Sequence, residues 1–306
     1  MIENPIRWPN GARCAVAFTF DMDGESLLHI YHGDTAPNRV ALASMLRYGP
    51  EVAVPRIVES FARLGMKQTF FVPGWCVERY PRAVELIYRG GHEIGHHGFM
   101  HENPSRLSRA EEEESLARGI ESIRSITGEK PKGYRAPSNG FSRHSLDLLL
   151  NAQFTYDASL FGRDIPYLLS DGTGRELVEL ASDLALDDWS HFVCIRDFNW
   201  LLPVAAPERA AEVYRAEFDA AWEYGGMWIG IWHPFLSGRM SRHTAMLSLV
   251  DYMTRKGHVW FARLDEIAAH ARRSQKEDGW RPYVERLPFY TEPISGVPWG
   301  RPIQTV

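Results

Sequence analysis

The sequence predicts a single α/β barrel domain. An apolar strand ends directly in an acidic turn, at least five alternations of helical and strand periodicity follow it, and no linker, basic run or repeat divides them. With 306 residues, 44% apolar and 24% charged, the chain can bury a sizeable core. A length of this order suits one α/β barrel as well as two smaller domains, so the continuity of the pattern decides for one.

Taken in order, Cys14–Phe20 reads as a buried strand that runs into Asp21-Met22-Asp23-Gly24. The segment Glu25 to Pro50 carries His29, Tyr31, His32, Gly33, Asp34, Pro37 and Tyr48 and is expected to be a structured loop inserted in the barrel. Helical periodicity covers Val52–Leu64 and Arg82–Tyr88, and strands are expected at Gln68–Val72 and Glu93–His97. Ser108-Arg-Ala-Glu111 supplies a helix cap with a carboxylate three residues on, and the helix runs to about Ile126 before Thr127-Gly128. A short strand precedes Arg135, a helix covers about Arg143–Asn151, and a strand lies at Phe154–Tyr156. Helices at Pro207–Tyr224, Thr244–Lys256 and Leu264–Arg272 alternate with strands at Met227–Trp232 and His258–Phe261. The barrel is therefore expected over residues 1–272, followed by a C-terminal arm over 273–306 without periodicity, rich in Pro, Trp and Tyr. Trp280, Tyr283, Phe289, Tyr290 and Trp299 give this arm apolar surface, which predicts packing on the barrel or on a neighbouring subunit, hence a dimer or tetramer.

Charge and cysteine usage narrow the partners. Lys and Arg total 34 against 39 Asp and Glu, so nothing forces a basic patch, and neither nucleic acid nor an anionic membrane is expected. Apolar runs such as Met227–Trp232 are far shorter than the roughly 20 residues of a membrane span. Residues 1–11 hold two prolines and no secretory-signal pattern, and the three widely spaced cysteines Cys14, Cys76 and Cys194 suit buried thiols; both point to the cytoplasm.

Four segments could carry chemistry. In Gly91-His-Glu-Ile-Gly-His-His97-Gly-Phe-Met-His101, two histidines four apart would face one way on a helical turn and could grip one metal ion, although the same spacing arises on solvated helix faces. Asp21 and Asp23, two apart on an extended segment, point the same way. One acid could bind the ion while the other takes a proton. Two imidazoles and a carboxylate leave positions open to water, which marks a catalytic zinc-type site. Tyr134-Arg135-Ala-Pro and Trp232-His233-Pro stand at two further strand ends. There Arg135 could hold a carboxylate ionised and His233 could act as general acid, if they are not an ordinary ion pair and a satisfied core group.

Taken together, the acidic pair, Gly-His-Glu-Ile-Gly-x-His-x-x-x-His, Arg-x-Pro and a strand ending in His resemble the polysaccharide deacetylases, the NodB homology domain, over roughly residues 10–270. The resemblance implies a distorted (β/α)7 barrel, with Asp21 as base, Asp23, His97 and His101 as ligands to one divalent ion, zinc by choice of donors, Arg135 orienting the base, and His233 as acid. It also implies hydrolysis of a non-peptide amide, in an N-acetylated saccharide or in a small cyclic amide or imide. Asp187-Asp188-Trp189 resembles the family motif in which an acid supports the histidine and an aromatic lines the pocket. Asp188 and Trp189 are accordingly expected on the substrate side, and Arg239, a few residues after His233, could reach a substrate carboxylate or carbonyl. The chain departs from extracellular members in Asp-Met-Asp for Asp-Asp, His-His-Gly for Asn-His-Thr or Ser-His-Thr, and Arg-Ala-Pro-Ser for Arg-Pro-Pro-Tyr. These departures resemble the intracellular branch with Helicobacter-type peptidoglycan deacetylases and allantoinase-like and cyclic-imide-hydrolase-like proteins, in whose allantoinase-like members the metal-binding acid is replaced. Here Asp23 is retained. A non-catalytic carbohydrate-binding protein on the same scaffold is the other reading, and metal analysis with a turnover assay separates the two.

Overall fold

A computed structural model describes residues 2–292, and Trp299 of the expected arm lies outside them. The strands are β1 (Cys14–Asp21), β2 (Thr69–Val72), β3 (Glu93–His96), β4 (Gly133–Tyr134), β5 (Tyr156–Asp157), β6 (Tyr167–Ser170), β7 (Glu176–Glu179), β8 (Cys194–Ile195), β9 (Trp200–Leu201), β10 (Met227–Trp232), β11 (Val259–Phe261) and β12 (Val284–Arg286). Seven of these run parallel as neighbours in the order β10-β1-β2-β3-β4-β5-β7. The ring is completed by scattered contacts after β7. Ser182 Oγ donates to Ile229 O at 2.6 Å, the Asp188 N–H donates to Ile231 O at 2.9 Å, and Asp187 makes an isolated parallel bridge to Ile231. This is the distorted (β/α)7 barrel that the sequence predicts. β11 pairs with the first residues of β1, and β6 turns back antiparallel on β7 and takes β12 as a further neighbour.

Period two on β1 organises the core. Cys14, Val16, Phe18 and Phe20 pack with Val54, Ile57 and Phe61 of the outer helix Val54–Arg63. Ala15 and Ala17 belong to a second cluster with Phe71, Tyr134, Tyr156 and Ile229. Thr19 and Asp21 continue that inner face, because Arg135, which follows β4, reaches both of them although β2 and β3 separate the two strands in the sheet. Small side chains low on the inner face and polar ones at its carboxyl end leave the site at the top of the barrel.

The capped helix forms as its sequence dictates, over Arg109–Thr127. Ser108 and Glu111 make the reciprocal capping box, and Gly128 closes it in the left-handed conformation at φ 75°. The segment 25–50 is corrected: it contains helices Ser26–His32 and Val40–Tyr48 joined by a 3₁₀ stretch, with Leu27, Leu28, Leu42 and Leu46 buried. Gly33 and Pro37 cut it into pieces too short to show a 3.6-residue period. The β6–β7 hairpin, β8, β9 and β12 are elements of two to four residues that the reading from periodicity missed. The last helix continues to Glu277, five residues beyond the expected Arg272. Of the thiols, Cys14 and Cys76 are buried but Cys194 is exposed, which departs from the expectation. Among the described residues, no helix is long and apolar enough to cross a membrane.

Gly119 allows helix Arg109–Thr127 to lie against β3, since a Cβ there would stand 2.2 Å from His96 Nε2. At an open helical site Gly→Ala stabilises by ~1 kcal/mol. Here overpacking outweighs that gain, so Gly119→Ala is expected to destabilise by about 1–3 kcal/mol in denaturant unfolding, and a more stable variant would refute this packing.

Candidate active site

Asp21 ends β1, and the chain then turns through Gly24 at φ 53°. The Asp23 carbonyl fixes this turn by accepting from Ser26 Oγ at 2.6 Å and Cys76 Sγ at 2.8 Å. The Asp23 carboxylate itself is almost wholly buried, and among the described residues neither oxygen has a hydrogen-bond partner. Instead, His97 Nε2 lies 3.5 Å from Oδ1, and His101 Nε2 and His233 Nε2 lie 3.7 and 3.6 Å from Oδ2.

The sequence expectation for the two histidines is met in their juxtaposition and corrected in its cause. Residues 97–103 are not helical. β3 ends at His96, and positive φ at Gly98 (71°) and His101 (65°) folds the loop back until the two rings lie 4.9 Å apart, centroid to centroid. His97 Nδ1 meets the Arg135 carbonyl at 2.7 Å, so that nitrogen donates and Nε2 keeps its lone pair toward Asp23.

Burial lifts the Asp23 carboxyl to about 8 and pushes the His97 imidazole down to about 3. His101 is pushed well down by burial and by the neighbouring imidazoles. Neutral imidazoles around an unpartnered acid are what a divalent cation needs. The ligand atoms of Asp23, His97 and His101 lie within 4.8 Å of one another, and a cation among them would reverse the penalty on Asp23. Asp187, Asp188 and His233 also cluster within that distance. That donor set does not fit an ion, because hydrogen bonds already occupy the Asp188 oxygens.

Arg135 is buried, with Nη1 donating to Asp21 Oδ1 at 2.7 Å and to Thr19 Oγ1 at 2.8 Å, Nε donating to the Ala158 carbonyl, and the guanidinium 4.3 Å from the Phe71 ring centroid. Asp21 Oδ2 is 3.9 Å from His97 Nε2, which puts this acid beside the ligand cluster with one oxygen tied to a permanent cation.

On the opposite wall, His233 follows β10. Its Nδ1 lies 2.7 Å from Asp188 Oδ1, and Asp188 Oδ2 accepts from the His233 N–H at 2.9 Å and from Ser237 Oγ. Burial alone would lower the His233 pKa, but the Asp188, Asp187 and Asp23 carboxylates outweigh it and raise it to about 10. Asp188 is fully buried behind the imidazole, so it supports the histidine and does not line the pocket. The carboxylate on the pocket wall is its neighbour Asp187, raised to about 6 chiefly by burial.

These groups open into a cavity of about 390 Å³. Trp189 lines it with its ring 5.1 Å from His233. Arg239 does not reach it. Its guanidinium sits 3.7 Å over the Tyr48 ring and it borders a separate hollow, because helix Met240–Lys256 starts earlier than its periodicity suggested and directs residue 239 outward. The sequence reading missed the half of the roof that comes from Trp200 and Leu202 of the β8–β9 region, which face Leu27 and Tyr31 from the 25–50 segment. The two excursions are clasped by Tyr31 stacked on Phe198 at 4.6 Å and by Arg39–Asp197 at 2.9 Å. Aromatic residues between short strands were the available signal, but nothing in the sequence says that these two stretches meet. The floor includes Ser138 and Asn139, both left-handed at φ 53° and 51°.

With this geometry in hand, the likeness to known proteins is specific. A solved structure from Mycobacterium smegmatis that carries the polysaccharide deacetylase name is 39% identical, with a TM-score of 0.87 over 93% of this chain and 97% of that one. The chain belongs to the polysaccharide deacetylase family. The family's sequence profile matches residues 34–156. The peptidoglycan deacetylase of Helicobacter pylori is 27% identical over 83% of this chain and 94% of its own length. An allantoinase shares the fold, with a TM-score of 0.78 at 23% identity over 89% of this chain and 93% of that one. As a member of this family, the chain is a hydrolase of non-peptide carbon–nitrogen bonds.

The His233–Asp188 contact has a measurable signature. Asp188→Asn keeps the shape and removes the charge. The His233 titration is then expected to fall by about one to two pH units in NMR of the chelated protein, given ~1.5–3 kcal/mol for a charged hydrogen bond and 1.36 kcal/mol per unit. Because the folded pKa lies above the unfolded value of about 6.5, the stability from protonated His233 is full below that value and is lost as pH rises toward 10. The variant should lose it at lower pH, and an unmoved titration would remove Asp188 as the cause.

Proposed function

We propose that this chain is a metal-dependent de-N-acetylase of a compact, saccharide-sized amide, using one divalent ion held by Asp23, His97 and His101. The observation that carries the reading is the buried, unpartnered Asp23 carboxylate facing two imidazole Nε2 atoms, since an uncompensated charge in that setting is costly without a cation. The bound ion, zinc by the donor set, would polarise the amide carbonyl and ease deprotonation of water. Asp21, oriented by Arg135 and Thr19, accepts the proton of the attacking water at the oxygen not tied to Arg135. His233, held by Asp188, donates its proton to the leaving nitrogen. Trp189 and the roof residues exclude water from the reacting carbonyl.

The size of the cavity and its roof support a small substrate over an extended polymer. A second reading, hydrolysis of a small cyclic amide or imide, is favoured by the apolar character of Leu27, Tyr31, Leu184, Trp200 and Leu202 around the pocket. Among the described residues neither Lys nor Arg lines the cavity, which supports a neutral substrate in both readings. The cytoplasm is the proposed location, on the strength of the three free thiols. The arm 273–306 is proposed as an interface of a homo-oligomer. Its first part packs on the barrel through β12 and through Trp280, whose Nε1 donates to the Asn4 carbonyl, but Phe289 and Tyr290 stay exposed.

Metal analysis tests the centre. The unsubstituted chain is expected to bind one zinc ion. His97→Ala and His101→Ala should each lose most of it, and thermal unfolding should show ~2.7 kcal/mol of stabilisation at a hundredfold excess over Kd in the unsubstituted chain alone. Asp21→Asn should keep the metal and lose about 10²- to 10⁴-fold in turnover. Full metal content in both histidine variants would defeat the ligand assignment. Turnover of N-acetylglucosamine oligomers compared with glutarimide separates the two substrate readings.

For assembly, light scattering should give a dimer or tetramer for the full chain and a smaller species for Phe289→Ser/Tyr290→Ser. Equal masses would remove these residues from the interface.

A further inference from the structure

The loop after β3 carries two proposed ligands yet has no regular structure, so its backbone groups must find partners elsewhere. Its carbonyls are taken from one side: Gly98 O accepts from the Gly74 N–H at 3.0 Å and Phe99 O from the Trp75 N–H at 2.9 Å, both at the start of helix Gly74–Arg79. Its N–H groups turn the other way and converge on a single atom. Glu102 Oε2 accepts from the Phe99 N–H at 3.0 Å, from the Met100 N–H at 2.9 Å and from Ser115 Oγ at 2.9 Å. Ser115 also accepts from the Phe99 N–H at 3.0 Å, which ties the loop to helix Arg109–Thr127.

The conformation held in this way is unfavourable by itself. His101 has φ 65°, a region that costs a non-glycine residue of order 1 kcal/mol or more. Gly98 is left-handed too, and a Cβ on it would stand 3.1 Å from Glu102 Oε2 and 3.0 Å from Pro137 Cγ. The space next to the first ligand is thus occupied by the glutamate carboxylate. Without an acceptor at that point, the Met100 N–H would be stranded, the Phe99 N–H would be left with Ser115 Oγ alone, and the reversal that brings His101 back to His97 would lose much of its support.

We infer that Glu102 is a positioning residue for the divalent-ion site, holding the His97–His101 loop in the strained turn that points both Nε2 atoms at Asp23. The inference rests on the metal reading proposed above, and Glu102 touches neither ion nor substrate. It is tested on the full chain by zinc competition against a chromophoric chelator, with Glu102→Ala, Glu102→Gln and Ser115→Ala beside the unsubstituted protein, and by denaturant unfolding of each protein without metal. Loss of an outer support of this kind weakens metal binding by about 10–100-fold. Glu102→Ala is therefore expected to lose at least tenfold in zinc affinity. Glu102→Gln, whose amide oxygen can accept the same N–H groups, should recover most of it, and Ser115→Ala should lose less. Metal-free unfolding midpoints should differ too little to account for the loss. A Glu102→Ala protein that binds zinc within twofold of the unsubstituted chain overturns the inference alone. An equal affinity loss in Glu102→Gln overturns it as well, since backbone acceptance would then not be the cause. An unsubstituted chain that binds no zinc overturns the metal reading first, and the inference with it.

Discussion

Placing a carboxylate deep in a protein without a hydrogen bond costs several kcal/mol unless a positive charge is brought to it, and the Asp23 carboxylate is placed in this way at the mouth of the barrel. The surrounding structure makes sense as an answer to that cost. Its carbonyl is pinned by Ser26 and Cys76 so that the side chain cannot swing out to solvent. The His97 and His101 imidazoles beside it are kept neutral by burial, so they offer lone pairs instead of competing charges. A fold that simply maximised stability would have paired this acid with an arginine; the arginine present, Arg135, is aimed at Asp21, two residues away.

The second organising constraint is that every one of these candidate-site residues stands at the carboxyl end of a parallel strand or just beyond it: Asp21 and Asp23 after β1, His97 and His101 after β3, Arg135 after β4, His233 after β10. Such groups converge because the barrel does, and their precise aim comes from short polar ties between neighbouring strand ends. The Asp188 N–H pairs with Ile231 O one strand across, and the Asp188 side chain then reaches back to the imidazole two residues beyond Ile231. Backbone register and side-chain chemistry are thereby locked to each other.

How legible this was in the sequence follows from the range of the interactions. β1, helix Arg109–Thr127 and helix Pro207–Tyr224 were readable because period, cap and stop are written within each segment. The candidate-site residues stood out in the sequence because few other roles demand acids and histidines at strand ends. The i,i+4 spacing of His97 and His101 suggested one face of a helical turn, whereas a loop with two left-handed residues brings the two rings together. That Asp187 lines the pocket, where Asp188 was expected, turns on one residue of backbone direction near Ile231. The roof was illegible because its two halves lie some 160 residues apart, as in the Arg39–Asp197 pair, and Arg239 was misjudged because surface and pocket arginines look alike in sequence.

Arg135 serves the site twice, by two different parts of itself. Its guanidinium holds Asp21, whereas its main-chain carbonyl holds the His97 ring. The second tie belongs to the backbone and would persist under any side chain at that position. In evolutionary terms, the setting of the Asp21 carboxylate is separable from that of the His97 ring: the side chain at position 135 can drift, and with it the charge held against Asp21, while the backbone contact to His97 is inherited unchanged.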